Sequence, residues 1–163
     1  MANICDFSMM VKGKRENIEK FINMMEQKGT VWMGRGAVIH SQTMEEVENG
    51  KHRCQIDGDT KWSIMASMVL NAVSMRENPD MWYFADGIDK TKLSFVTLFE
   101  ACEQLKLAME VYSEECGELF QEHYLFDEGQ LMIDEVVEYT EEYNEETDEY
   151  ESSGGFDCWD FEI

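Results

Sequence analysis

The chain has 163 residues, with 35 acidic against 13 basic side chains for a formal charge of −22, and 44% of it is hydrophobic. That length favours one domain burying roughly 70% of its unfolded surface, and the apolar content excludes a wholly disordered acidic polymer. The charge excludes unaided binding to nucleic acid, and no apolar run approaches the roughly 18 residues of a membrane span.

Cys5, Phe7, Met9 and Val11 alternate with Asp6, Ser8, Met10 and Lys12, which predicts a half-buried first strand that Gly13 turns. Residues 15–28 follow as a helix with Ile18, Phe21, Ile22 and Met25 on one face, a Glu16–Lys20 pair outside and Gly29 at its end. Strands near 37–47 and 52–56 flank Asn49-Gly50, a strong hairpin signal. Ile64, Met65, Met68, Val69, Ala72 and Val73 recur at helical spacing, and the single proline, Pro79, sits in an irregular stretch over 76–92. Thr97-x-x-Glu100 is a capping box for a helix reaching Lys106, with Leu98, Phe99, Cys102 and Leu105 inward.

Leu107, Met109 and Val111 begin the next strand, and residues 119–126 and 130–139 form a second hairpin around a three-residue loop, Asp127-Glu128-Gly129. Residues 140–153 lack periodicity and read as a solvated, mobile segment. Phe156, Trp159 and Phe161 then interleave with acids, so the end either docks back as an edge strand or serves as a peptide ligand. The thirteen methionines suggest an adaptable core. Five scattered cysteines without a CxxC pair, and a start whose charges follow its apolar stretch, read as reduced thiols in a host-cell cytoplasm.

With the helix at 63–75 set aside, this order is the split βαβ pattern of a ferredoxin-like antiparallel sheet with helices on one face. The start (Asn3, Cys5, Gly13, Ile18, Phe21), Thr60-Lys61-Trp62, and the late strand into Tyr112-Ser113-Glu114-Glu115-Cys116-Gly117 with Phe120 resemble the YubB-type ferredoxin-like proteins of plasmids and phages. The resemblance covers much of 1–138 and implies a fold and a mobile-element setting, without chemistry. The expected fold is therefore α+β: a ferredoxin-like domain over 1–139 with an inserted helix within 63–92, an added C-terminal β-hairpin, and an acidic, partly flexible tail over 140–163.

Asp57-Gly58-Asp59-Thr60-Lys61 has the D-x-K step by which metal nucleases hold an ion and orient a water; the bland alternative is a strand-ending turn. His40, His52 and His123 are candidate bases for a cysteine nucleophile, but Cys5 and Cys102 lie on apolar faces, and Cys116 with His123 lacks further zinc ligands. Gly34-Arg35-Gly36 is a tight turn rather than a phosphate loop, and the acids of 140–151 lack the order of a calcium loop. Lys12-Gly13-Lys14-Arg15 is a small basic spot. No enzyme, catalytic residue, metal site or cofactor is assigned.

Position sharpens the charge. Residues 1–99 hold 12 bases and 13 acids, whereas 100–163 hold 22 acids and a single base, Lys106. Glu118, Glu122, Asp134 and Glu138 form rows on the second hairpin, prolonged by Glu141, Glu142, Glu145, Glu146, Asp148 and Glu149. Phe156, Trp159 and Phe161 add apolar anchors. The twenty acids after Lys106 match roughly 34 Å of duplex DNA. The expected function is a phage or mobile-element inhibitor of a basic, nucleic-acid-handling host protein, such as a CRISPR effector, acting by nucleic-acid mimicry. The alternatives are an accessory module acting through dimerisation and a metal-dependent nuclease using Asp57, Asp59 and Lys61.

Overall fold

In the computed structural model, which describes residues 3–79 and 89–163, the first alternation forms β1 (Ile4–Lys14) with Cys5, Phe7, Met9 and Val11 buried on one face. Gly13 does not turn the chain but stays paired with His52. A Cβ at Gly13 would meet Leu107 Cδ2 at 2.5 Å, so the glycine serves a close approach. α1 (Arg15–Met25) follows without a loop and buries Ile18, Phe21, Ile22 and Met25. It stops short of residue 28 because loop amides take its last carbonyls: Met33 N–H donates to Met24 and Ala37 N–H to Met25, each at 2.9 Å. The exposed ion pair joins Arg15 and Glu19 at 3.0 Å, not Glu16 and Lys20.

After a short β2 (Val31–Trp32), β3 (Val38–Glu48) and β4 (Lys51–Lys61) close the first hairpin at Asn49-Gly50, both left-handed with φ of 49° and 74°. β4 outruns its expected end because Asp57 to Lys61 pair with Ser8 to Ile4 of β1, so this stretch is strand and not a turn. Ile64 begins a helical segment with a π turn (Ala66–Leu70) that continues as α2 (Asn71–Glu77). The wider turn puts Ile64, Met68, Ala72 and Met75 inward and leaves Val73 exposed. Residues 80–88 of the expected irregular stretch lie outside the described residues.

β5 (Ser94–Phe95) pairs in parallel with β2, and α3 (Leu98–Leu105) carries the reciprocal Thr97–Glu100 capping box. Then β6 (Ala108–Glu115), β7 (Phe120–Asp127) and β8 (Gln130–Glu138) complete a six-stranded antiparallel sheet in the order β3-β4-β1-β6-β7-β8. Asp127 pairs with Gln130, so the second hairpin turns on two residues, Glu128-Gly129, rather than three. The helices share one core with one face of this sheet, in which Phe7, Met9, Ile56, Met109 and Tyr124 meet Ile18, Phe21, Met68 and Leu98. The protein is thus α+β. No helix among the described residues is long and apolar enough to cross a membrane.

The expected mobile segment is instead a hairpin of β9 (Thr140–Asn144) and β10 (Glu149–Ser153). Its loop is closed by Asp148 N–H donating to the Asn144 carbonyl and Glu146 N–H to the Asn144 side chain, each at 2.9 Å. Tyr143 and Tyr150 pack across the strands with ring centroids 5.4 Å apart. Local side-chain bonds and one aromatic pair replace the missing apolar period.

Candidate functional site

Alternation along β7 turns Glu122 and Tyr124 toward the helices, opposite Val136 and Asp134 of β8. With Glu118 and Glu138 they border an open cleft of about 620 Å³, whose apolar lining includes Met65, Phe120 and Val136. All four acids expected in rows on this hairpin therefore meet at one place. Glu118, Asp134 and Glu138 are exposed, but Glu122 is only 1% exposed and does not belong to a solvated row. Its carboxylate accepts from Ile64 N–H at 2.8 Å, Met65 N–H at 3.1 Å, and the Ser113 and Tyr124 hydroxyls, each at 2.7 Å. Amides at a helix start and two hydroxyls thus compensate the buried charge. Burial first, then the neighbouring Glu122 charge, pushes the Tyr124 hydroxyl well above the usual tyrosine range.

Two more acids are internal. Glu115 accepts from Gly117 N–H at 2.7 Å and Glu118 N–H at 2.8 Å, which shapes the β6–β7 turn. Glu110 lies on the sheet face away from the helices and meets His123 Nε2 at 2.8 Å. Beside that pair, Tyr112 stacks on His123 at 3.9 Å between centroids. Residues 154–163 cover both rings. Phe156, Trp159 and Phe161 surround Tyr112 at 5.7, 5.9 and 5.7 Å. Asp160 C=O accepts from the Tyr112 hydroxyl at 3.1 Å, Phe156 N–H donates to Gln121 and Glu162 N–H to Glu110. The end docks back, but through side chains and not as an edge strand. Its three aromatics, expected as anchors for a partner, are half-buried against the chain's own sheet. Burial, reinforced by Glu110, pushes the Tyr112 hydroxyl up to about 12.

Glu141, Glu142, Glu145, Glu146, Asp148 and Glu149 are all exposed on the β9–β10 hairpin and its loop. Glu142 stands directly opposite Glu151, a like-charge pair that repels across the strands. Of the acids after Lys106, only Glu110, Glu115 and Glu122 are buried. The solvated charge therefore corresponds to roughly 29 Å of duplex, less than the 34 Å of the whole set.

The remaining constellations are engaged locally. Asp57, Asp59 and Lys61 alternate along β4; Asp57 accepts from the Ser8 and Ser41 hydroxyls at 2.6 and 3.2 Å, and Asp59 meets His40 at 2.5 Å. Among the described residues, no three His, Cys, Asp or Glu side chains are grouped to hold a metal ion. Gly34 and Gly36 are left-handed in a turn closed by Gly36 N–H donating to Met33, and Arg35 lies over the Trp62 ring at 4.8 Å. Lys12 shares a cleft with Lys51 and Lys106 but also with Glu103, Asp127, Glu128 and Glu162, while Arg15 pairs with Glu19, so the basic spot is divided.

Cys5, Cys54 and Cys102 are buried and Cys116 and Cys158 exposed, all as free thiols. Neither the Glu110–His123 pair, which is diagonal across β6 and β7, nor the Tyr112 cluster leaves a local signal in the sequence. Tyr112, His123 and the terminal aromatics were visible as residues, but only strand register brings them together. No family model, curated protein or solved structure matches this chain.

Proposed function

We propose that the protein is an acidic competitor that binds a basic, nucleic-acid-handling protein and displaces its DNA or RNA. The observation that carries this reading is the run of exposed carboxylates along the chain, from those at the cleft (Glu118, Asp134, Glu138) to those of the β9–β10 hairpin, in a stretch with no Lys or Arg. A self-repelling acidic surface gains most from a basic counterpart, whose charges relieve repulsions such as Glu142–Glu151. The body that presents it has the strand order of a split βαβ sheet extended by a β7–β8 hairpin, which supports a ferredoxin-like reading.

The test is displacement of a fluorescein-labelled duplex from a panel of basic DNA- and RNA-binding proteins, RNA-guided nucleases included. The parent releases the probe from at least one member, and the variant carrying E141K, E142K, E145K and E146K releases it poorly. Equal release by both, or no release from any member by the parent, removes the reading.

A further inference from the structure

The sheet ends on β8, which pairs with β7 on one side only; among the described residues nothing pairs with its outer edge. A free edge of nine residues invites another strand, and chains usually blunt such edges with lysine, proline, bulges or brevity. β8 (Gln130–Glu138) has no lysine and no proline, and its apolar side chains are open: Met132 is 61% and Val136 58% exposed. The opposite edge, β3, is interrupted by two register shifts, at Ile39/Ser41 and Glu46/Glu48, whereas β8 has one, at Met132, and pairs in unbroken register from Ile133 to Glu138. From Ile133 onward β8 alternates acid and apolar residues on the helix side of the sheet (Asp134, Val136, Glu138), with Glu135 flanked by Ile133 and Val137 on the other.

A strand added there would lay alternate side chains over each face of β8. On the helix side they would meet two carboxylates and the apolar lining of the cleft. Lysine or arginine suits that surface, because its stem covers apolar atoms while its head reaches an acid. A second copy of β8 suits it poorly, since antiparallel pairing centred on Asp134 would place that carboxylate opposite itself, and pairing centred on Val136 would place it opposite Glu138.

We propose that the outer edge of β8 captures an extended segment of the basic partner, in which cationic and apolar residues alternate, as an added strand of the sheet. This rests on the acidic-competitor reading and gives it a binding mode: main-chain hydrogen bonds to the edge supply affinity, and Asp134, Glu138 and Glu135 select the cations.

Two nine-residue peptides of identical composition test it, one alternating lysine and valine and one with the lysines in a block. Titration of each into the full chain is followed by amide hydrogen exchange and by fluorescence anisotropy. The alternating peptide binds about tenfold more tightly than the block isomer and slows exchange of outward amides in β8. M132K/V136K, at two exposed positions, abolishes that preference while the circular dichroism spectrum is retained. Equal binding of the two isomers without β8 protection overturns strand addition and leaves acidic competition standing. If neither peptide binds, both readings fail. β8 protection that rises with protein concentration in the absence of peptide assigns the edge to a second copy and overturns the proposal.

Discussion

Glu122 on β7 accepts the backbone N–H of Ile64 at 2.8 Å, so one acid of the charge-rich half ties the sheet to the start of a helical segment. Glu122→Ala would leave two amides and two hydroxyls without their acceptor. It is expected to destabilise the fold by roughly 2–4 kcal/mol, read by urea denaturation. Asp134→Asn, at an exposed position of the same cleft, should change stability by less than about 0.5 kcal/mol. Equal effects of the two substitutions would contradict the division between structural and solvated acids.

The terminal segment 154–163 is held by aromatic contacts and single hydrogen bonds, without strand pairing. Trp159→Ala should cost about 1–3 kcal/mol, since the ring is half-buried on Tyr112. Truncation after Gly155 should expose the Tyr112–His123 stack and raise binding of an apolar dye. Hydrogen exchange should show fast amides at Cys158 against slow ones at Val111 and Tyr112 in β6. Slow exchange throughout 154–163 would indicate a more tightly built segment than these contacts provide.

The thiols give a chemical readout of burial. Burial pushes Cys5 up to about 12 and also raises Cys54 and Cys102. Cys158 is raised by its hydrogen bond to the Asp160 carboxylate, and Cys116 by burial and then Glu114. A thiol titration of the native protein should detect Cys116 and Cys158 alone, each slower than free cysteine, with the other three reacting after unfolding. Reaction of Cys5 or Cys102 in the native state would contradict the packing of the core.

Burial alone would raise Glu100, but the Arg76 guanidinium at 2.6 Å and the Thr97 amide and hydroxyl outweigh it, leaving the carboxyl below its ordinary 4.5. A carboxyl lowered on folding stabilises the native state above its unfolded value, and that stability is lost as pH falls through the folded one. Glu100→Gln keeps an acceptor for Thr97 N–H and removes the charge. It should cost under about 1 kcal/mol at neutral pH, because the pair is partly solvated, and the cost should vanish as falling pH protonates the parent carboxyl. A cost independent of pH would exclude the ionic contribution.

The sequence was legible where a signal is local. Asn49-Gly50 fixes its hairpin, Thr97 and Glu100 fix a helix start, and the apolar set from Ile18 to Met25 fixes a face. It was opaque where the partner is distant in the chain. Charge counting places Glu122 and Glu138 alike, yet only Glu122 meets the amides of residues 64 and 65. β7 carries apolar or aromatic residues on both faces because helices cover one and residues 154–163 the other, which simple alternation does not reveal. The β9–β10 hairpin leaves no periodic signal because its closure depends on Asn144 and the Tyr143–Tyr150 pair.

The acidic-competitor account is tested most directly by the salt dependence of displacement. Inhibition of duplex binding by the parent, measured from about 50 to 200 mM salt against a responsive basic protein, should weaken by at least tenfold. The variant with E141K, E142K, E145K and E146K should start weaker and show a shallower slope. Parent inhibition that is unchanged across the salt range, or identical slopes for parent and variant, would contradict competition through the exposed acids.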